Sequence, residues 1–235
     1  MLAKYRPTVL ILLALMSALT LPDIAFGQQT AMDFFQSGEF NRVKGDLDVA
    51  IADYSKAIEL NPNYADAYIS RGKVEIFKGN RDGAIADYSK AIELSPKSAD
   101  AYTNRGIAKE RKGNPDGAMA DFTKAIEVDP NYADAYYRRG NAKAPKGDLD
   151  GAIADYSKAI ELNPKSDGTY YNRGQAKQAK GDLDGAIADF TKTIELSPKF
   201  ANGYLKRAVA KKAKGDQAGA DADFAQAAKL KVSRP

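Results

Sequence analysis

The sequence predicts an all-α protein, a solenoid made of six helix–turn–helix hairpins. Three observations predict this fold: one stretch recurs at a fixed interval, apolar residues in it follow helical spacing, and glycine and proline separate the helices. Copies of the stretch return every 34 residues, at 83–96, 117–130, 151–164 and 185–198. A divergent copy at 49–62 precedes them, and a degraded copy begins at Gly219.

The composition bears on function mainly through the residue types that are absent. The chain has no Cys and no His, so it lacks thiolate nucleophiles, disulfides, and the commonest general base and metal ligand. Lys and Arg number 35 against 31 for Asp and Glu, a mild excess that indicates no particular polyanion. We therefore expect a protein that is not an enzyme and that holds no cofactor and no metal ion.

Residues 1–27 precede the repeats and have the order of a secretory signal peptide. Lys4 and Arg6 give a positive start, an apolar run follows at 9–21, and small residues precede a cleavage site before Gln28. This order predicts an exported protein, periplasmic or extracellular, with no integral membrane domain after cleavage. Export also argues against nucleic acid as a partner. An uncleaved membrane anchor is the alternative interpretation.

Six units of 34 residues follow, at 31–64, 65–98, 99–132, 133–166, 167–200 and 201–234. The first half of each unit predicts one amphipathic helix, which ends at a glycine in position 15 of the unit, as at a left-handed helix cap. The second half of the fourth unit carries Ala152, Tyr156, Ala159 and Ile160 at helical spacing, and Pro164 closes that helix. Each unit therefore predicts one hairpin.

These positions resemble the tetratricopeptide repeat family over nearly the whole chain after residue 30. The family has an aromatic residue at position 4, Gly or Ala at 8, Ala at 20, an aromatic at 24, Ala at 27 and Pro at 32. The fourth unit supplies Tyr136, Gly140, Ala152, Tyr156, Ala159 and Pro164. The departures are Arg at position 7, Thr193 in place of Ala and Val232 in place of Pro. The resemblance implies a right-handed α-solenoid of six tetratricopeptide-like repeats that acts as a non-enzymatic protein–protein interaction scaffold.

The resemblance also implies a concave groove that binds a protein or peptide partner through positions 2, 5, 6, 9, 12 and 13 of the first helices. These positions vary along the chain while the packing positions barely change. Amides hydrogen-bond a peptide backbone and aromatic rings supply contact area at low entropic cost. The candidate groove residues are Phe35, Ile69, Asn104, Ile107, Tyr137, Arg138, Asn141, Tyr171, Asn172, Gln175, Leu205 and Lys206.

Some relatives clamp the terminal carboxylate of a peptide with Lys, Asn and Arg in this groove. Asn104 and Arg138 fall where the Asn and Arg of that clamp would lie. Asp134 and Ile69 stand where the clamp has lysines, so the clamp is incomplete and is not carried over to this chain.

Two charged ladders run through the units, Arg at position 7 and Asp at position 23. The first unit has Ser37 at position 7 and yet keeps Asp53, so we expect each Asp to pair with the Arg of the next unit. The expected pairs are Asp53–Arg71, Asp87–Arg105, Asp121–Arg139, Asp155–Arg173 and Asp189–Arg207, which leaves Asp223 unmatched.

The two ends of the array differ in polarity and charge. In the last unit Gln217, Asp221 and Ala228 replace apolar residues, as solubility of a terminal repeat requires. In the first unit we expect Phe34, Phe35 and Phe40 to close the opposite end. The first unit has six acidic and three basic residues, and the last has three acidic and eight basic ones.

Two other functions remain open on the sequence alone. Oppositely charged ends are compatible with a self-assembling structural protein, a homo-oligomer. A carboxylate-based enzyme acting on envelope polymers is the second alternative, because Asp and Glu abound. The recurring Ser-Lys and Thr-Lys pairs belong to the repeat itself and do not indicate a catalytic pair.

Overall fold

The computed structural model describes residues 29–232, and the predicted signal peptide at 1–27 lies outside this part of the chain. The described residues form twelve α-helices and no strand. The helices are α1 Ala31–Lys44, α2 Leu47–Leu60, α3 Ala65–Lys78, α4 Arg81–Leu94, α5 Ala99–Arg111, α6 Pro115–Val128, α7 Ala133–Lys143, α8 Leu149–Leu162, α9 Asp167–Ala179, α10 Leu183–Leu196, α11 Ala201–Ala213 and α12 Gln217–Val232. None of these helices is long and apolar enough to cross a membrane.

The helices pack as six hairpins, α1–α2 through α11–α12, and the second helix of each hairpin packs on the first helix of the next. This arrangement confirms the predicted all-α solenoid of six helix–turn–helix units. The glycine at position 15 of every unit has a positive φ of 83° to 92°, so the predicted left-handed cap is also confirmed. After the glycine, an Asp or Asn begins the next helix; the Asp148 carboxylate, for example, accepts the Gly151 N–H at 2.9 Å.

Close approach within the first five hairpins depends on glycine at position 8 of the first helix and an aromatic ring at position 24 of the second. A Cβ atom added to Gly140 would lie 2.7 Å from the Tyr156 ring, and one added to Gly106 would lie 2.5 Å from the Phe122 ring. Both rings are almost completely buried. The ring therefore occupies the space that the missing side chain leaves, which lets the two helices approach.

The predicted pairing of the Arg and Asp ladders is wrong. Each Arg instead pairs with the Asp of its own hairpin, sixteen residues later; Arg105 donates to both carboxylate oxygens of Asp121, at 2.8 and 2.9 Å. The other pairs are Arg71–Asp87, Arg139–Asp155, Arg173–Asp189 and Arg207–Asp223. Two helices joined by a tight turn bring positions 7 and 23 face to face, so the pairing is local.

Asp53 has no arginine partner, but two neutral groups of its own hairpin donate hydrogen bonds to its carboxylate. Ser37 Oγ and Asn41 Nδ2 both donate to its carboxylate at 2.8 Å. The arginines do reach the preceding hairpin, but through a hydroxyl group: Arg105 donates to Ser89 Oγ at 3.2 Å. The same bond joins Arg71 to Ser55, Arg173 to Ser157 and Arg207 to Thr191.

Four positions of each first helix, 3, 7, 10 and 14, form the contact with the preceding hairpin; we call them the docking stripe. In α3 they are Ala67, Arg71, Val74 and Lys78. Ala67 and Val74 are buried, Arg71 bonds Ser55, and Lys78 pairs with Asp48. The spacing of three and four residues places the stripe on one side of the helix.

The sequence correctly predicts a polar outer face on the last hairpin, but its prediction for the outer face of the first hairpin fails at one residue. Gln217, Asp221 and Ala228 are exposed on the last hairpin, in agreement with a polar end. On the first hairpin Phe34 and Phe35 are half-buried, but Phe40 is 69% exposed. The expectation that Phe40 closes this end is therefore wrong, because no helix of the described chain lies in front of it.

Replacement of Gly140 by Ala is expected to lower the midpoint of thermal unfolding. The new methyl group meets the buried Tyr156 ring, and overpacking of this kind costs about 1–3 kcal/mol. The matched control is Gly168→Ala, where the added Cβ meets only the Tyr137 hydroxyl at 4.0 Å. Equal midpoints for the two variants would contradict this account of the close approach.

Replacement of Arg105 by Ala is expected to cost about 3 kcal/mol in the free energy of unfolding measured with urea. This lies at the low end for a broken buried pair, because Lys109 keeps its own contact with Asp121 at 2.7 Å. Lys124→Ala removes an exposed pair with Glu127 and should change little. A loss no larger than that of Lys124→Ala would show that the ladder is not structural.

Candidate functional site

The groove positions of the first three hairpins line one open cleft of about 310 Å³. Its walls come from positions 2, 5, 6 and 9 of α1, α3 and α5, the positions at which the sequence predicts ligand contacts. The lining residues are Phe35, Glu39, Asp66, Ile69, Ser70, Lys73 and Asp100. Ile69 is only 7% exposed and forms part of the floor, while Phe35 is half-buried with its ring 4.9 Å from that of Tyr64.

Glu39 is the most strongly bound side chain of this cleft. Its carboxylate accepts from Tyr54 Oη at 2.7 Å, Ser70 Oγ at 2.8 Å and Arg42 Nη2 at 2.6 Å. Partial burial alone would raise the pKa of Glu39, but these hydrogen bonds and the Arg42 charge outweigh it and lower the pKa to about 2. Because Ser70 belongs to the next hairpin, Glu39 joins the first two hairpins across the groove.

Most charges of the groove are neutralised by neighbouring groove residues. Lys73 pairs with Asp100 of the next hairpin at 2.9 Å, and Arg138 lies 3.3 Å from Asp134, one turn earlier on its own helix. The Asn104 amide donates to the carboxylate and the backbone carbonyl of Asp100, at 2.7 and 2.8 Å. The groove therefore presents polar groups in pairs and little local net charge.

The middle of the groove holds a network of amides that crosses from the fourth to the fifth hairpin. Asn141 Oδ1 accepts from Asn172 Nδ2 and from Tyr156 Oη, both at 2.9 Å. Asn172 Nδ2 also lies 3.3 Å from Tyr137 Oη, and Gln175 Nε2 lies 3.5 Å from Asn172 Oδ1. Four of the sequence-predicted residues thus come together at one place.

This network leaves one amide donor group available to a ligand. Within the described residues no hydrogen bond is made by the Asn141 side-chain NH₂ group, although its oxygen is fully used. The Arg138 guanidinium lies 5.6 Å from the centre of the Tyr137 ring, and both residues stand one helical turn before Asn141 on the same helix. A peptide carbonyl is the kind of acceptor that such a half-buried NH₂ group binds.

The choice of Tyr or Phe at position 24 is a functional signal that the sequence reasoning missed. In the first and fourth hairpins the hydroxyl of the buried Tyr at position 24 donates to the side-chain oxygen at position 9, that of Glu39 or Asn141. Position 9 is Ile107, Gln175 or Val209 in the three hairpins with Phe at position 24. A core residue thus orients a groove residue through the hairpin in these two repeats.

The fifth hairpin opens the groove where its sequence departs from the repeat. Gly168 stands at position 2, where the three preceding units have Asp, and it borders an open cleft of about 260 Å³ together with Tyr137 and Asp134. Asp167 accepts from Ser197 Oγ at 2.5 Å, and Thr193 donates to the Asp167 carbonyl at 3.3 Å. The polar departures therefore bond one another and fix the edge of this cleft.

The remaining candidate residues make packing contacts. The Tyr171 ring lies 5.8 Å from Phe190 and 5.2 Å from Phe200, and Ile107 packs against the core around Phe122. Leu205 and Lys206 are half-buried on the last hairpin. These side chains expose part of their surface to the groove, but their rings or chains also belong to the scaffold.

Models of the tetratricopeptide repeat match residues 99–132, 122–154 and 168–200, and a model described as TPR repeat matches 42–75, 76–113 and 145–181. The crystal structure of the MamA protein is 32% identical to this chain, spans 73% of it and 94% of that protein, and has a TM-score of 0.62. The chain belongs to the tetratricopeptide repeat family. Among curated proteins, none matches the sequence.

Two further structures are similar to this one. YrrB, described as a TPR protein with an unusual peptide-binding site, is 25% identical over 77% of this chain and 93% of its own, with a TM-score of 0.65. PilF of Pseudomonas aeruginosa has a TM-score of 0.76 over 87% of this chain and 93% of its own. At 17% identity, PilF shows a shared fold alone.

Replacement of Glu39 by Gln is expected to flatten the acid side of the stability curve. The folded pKa of Glu39 lies below its ordinary value of 4.5, so its stabilisation is complete above pH 4.5 and is lost as the pH falls toward about 2. The variant should therefore lose less stability than the wild type between these two pH values, measured by urea unfolding. An unchanged slope would contradict the assigned hydrogen bonds of Glu39.

Proposed function

We propose that this chain is an exported, non-enzymatic interaction scaffold that binds an extended peptide or a helix of a partner protein in its concave groove. Proteins of the tetratricopeptide repeat family serve as interaction scaffolds, and the similar protein YrrB is described as having a peptide-binding site. Export rests on the order of charge, apolar run and small residues at 1–27.

The observation that carries this proposal is the set of bonds that joins groove side chains in three pairs of adjacent hairpins. Side chains of adjacent units bond one another along the groove, as Ser70 does with Glu39, Lys73 with Asp100 and Asn172 with Asn141. These bonds hold the groove side chains in place before any ligand arrives, which reduces the entropy lost on binding. The cleft of about 310 Å³ is lined by the first three hairpins, and the cleft of about 260 Å³ is lined by the fourth and fifth.

The pairing of charges favours a ligand that is recognised by its backbone and its apolar side chains. Glu39, Asp100 and Asp134 each have a cationic partner within the groove, so a charged ligand has to displace that partner. The Asn141 amide donor and the half-exposed rings of Phe35 and Tyr137 remain available. Because the carboxylates already serve structural bonds, the groove suits binding better than acid–base catalysis.

Replacement of Gly168 by Trp is expected to block the groove without disturbing the fold. The position has open space around it, so the new side chain occupies the cleft beside Tyr137 and removes no existing contact. The measurement is affinity capture from an envelope extract, with cross-linking and mass spectrometry. A partner retained by the wild type should be absent from this variant.

The matched control is Ala154→Trp, which places the same side chain on the exposed face of α8. This control should retain the partner, and both variants should unfold at the temperature of the wild type. Equal capture by the two variants would place the binding surface outside the groove and end this proposal.

A further inference from the structure

The docking stripe of the first hairpin has no hairpin in front of it within the described chain. Its members are Asp33, Ser37, Phe40 and Lys44, at positions 3, 7, 10 and 14 of α1. In each later hairpin the Lys at position 14 pairs with an Asp of the preceding unit. Lys44 instead pairs with Asp46 of its own turn.

The repeat itself shows what kind of element covers such a stripe. Position 10 of the later hairpins is buried against the second helix of the hairpin before; Val74, 2% exposed, packs against Ala50 and Tyr54 of α2. Phe40 occupies the same position and is 69% exposed, although it is the largest residue found there. The geometry that buries position 10 five times in this chain is that of a packed helix.

Ser37, the stripe residue one turn before Phe40, bonds a carboxylate that has no cation. Asp53 accepts only from Ser37 and Asn41, both neutral, and within the described residues no Lys or Arg pairs with it. The equivalent Asp of the five later hairpins is buried and held by an arginine, whereas Asp53 is only half-buried. A carboxylate in this position favours a cation brought by whatever covers the stripe.

We propose that the docking stripe of α1 binds an amphipathic helix of a different protein. That helix presents a small residue to Phe40, because Phe40 fills the space that Ala or Val leaves in the later hairpins. It also presents an Arg or Lys to Asp53. This site goes beyond the groove function proposed above, since it uses positions 7 and 10 of α1 and none of the groove positions.

A second copy of this chain fits the stripe poorly. The last hairpin has Gln217 and Asp221 in place of apolar residues, and Ala218 replaces the Asp that pairs with Lys in every other unit. The second helices all carry Tyr or Phe where a small residue is needed opposite Phe40. Two first hairpins facing each other would bring together units that each hold six acidic and three basic residues, so their like charges repel.

The chain provides its own probe. A fluorescein-labelled peptide of residues 149–162 copies α8, a helix that packs on the docking stripe of α9. A hydrocarbon staple between positions 154 and 158, on its outer face, keeps the isolated peptide helical. A second peptide carries Tyr156→Ala, which makes room for Phe40, and Ser157→Arg, which brings a cation toward Asp53.

Binding of both peptides to the full chain is measured by fluorescence anisotropy. The altered peptide should bind at least about tenfold more tightly than the unaltered one, because it alone buries Phe40 and pairs with Asp53. Phe40→Asp should abolish this binding. Phe77→Asp is the matched control, since Phe77 is an exposed Phe outside the stripe, 79% exposed against 69% for Phe40, and it should leave the binding unchanged.

Asp53→Asn should weaken binding of the altered peptide about tenfold and leave binding of the unaltered peptide unchanged. Gly168→Trp, which fills the groove, should leave the affinity for both peptides unchanged. The proposal for the docking stripe and the proposal for the groove can therefore be rejected independently. Equal binding of both peptides, no binding of either, or equal losses in Phe40→Asp and Phe77→Asp would overturn the proposal.

A second copy of the chain or residues 1–28 could also cover the stripe, and each would give a different experimental result. A full-chain dimer that sediments as a monomer after Phe40→Asp would identify a second copy, and would overturn the proposal of a different protein. Binding by a chain that begins at residue 29, with none by the full chain, would identify residues 1–28 as the occupant and would overturn it as well.

Discussion

The contact between one hairpin and the next is the interaction on which the rest of this structure depends. A single pair of helices buries too little apolar surface to offset the entropy lost on ordering it, so stability comes from the interfaces between units. Each interface uses the same stripe, in which a small or β-branched residue packs and a lysine pairs with an aspartate; at four of the five interfaces an arginine also bonds a hydroxyl of the preceding hairpin. The near-identity of the repeats follows from this repeated requirement.

Because the stripe uses one side of each first helix, the adjacent side is free to vary. Positions 2, 5, 6 and 9 therefore vary among the hairpins while the packing positions barely change. The two faces are not independent, however. The buried rings of Tyr54 and Tyr156 donate hydrogen bonds from their hydroxyls to Glu39 and Asn141. Core residues therefore fix the orientation of these two groove side chains.

The sequence predicts the hairpins and their caps because each depends on local spacing within 34 residues, whereas the groove positions are implied by the resemblance to the tetratricopeptide repeat family. The left-handed glycines and the Gly140–Tyr156 contact follow from residue type and position alone. The partner of each Arg does not, because Asp53 persists without an arginine and suggests a pairing between units that the structure contradicts. The bonds among Asn141, Asn172 and Tyr137 also escape the sequence, since they depend on distances between hairpins.

Hydrogen exchange of the backbone amides, followed along the native chain, tests the central role of the interfaces most directly. If stability resides between hairpins, protection should be greatest in α5 to α8, which have neighbours on both sides, and should decline toward α1 and α12. The second helix of one hairpin and the first helix of the next should also exchange together. Six hairpins that exchange independently, with the same protection at the ends as in the middle, would contradict this account.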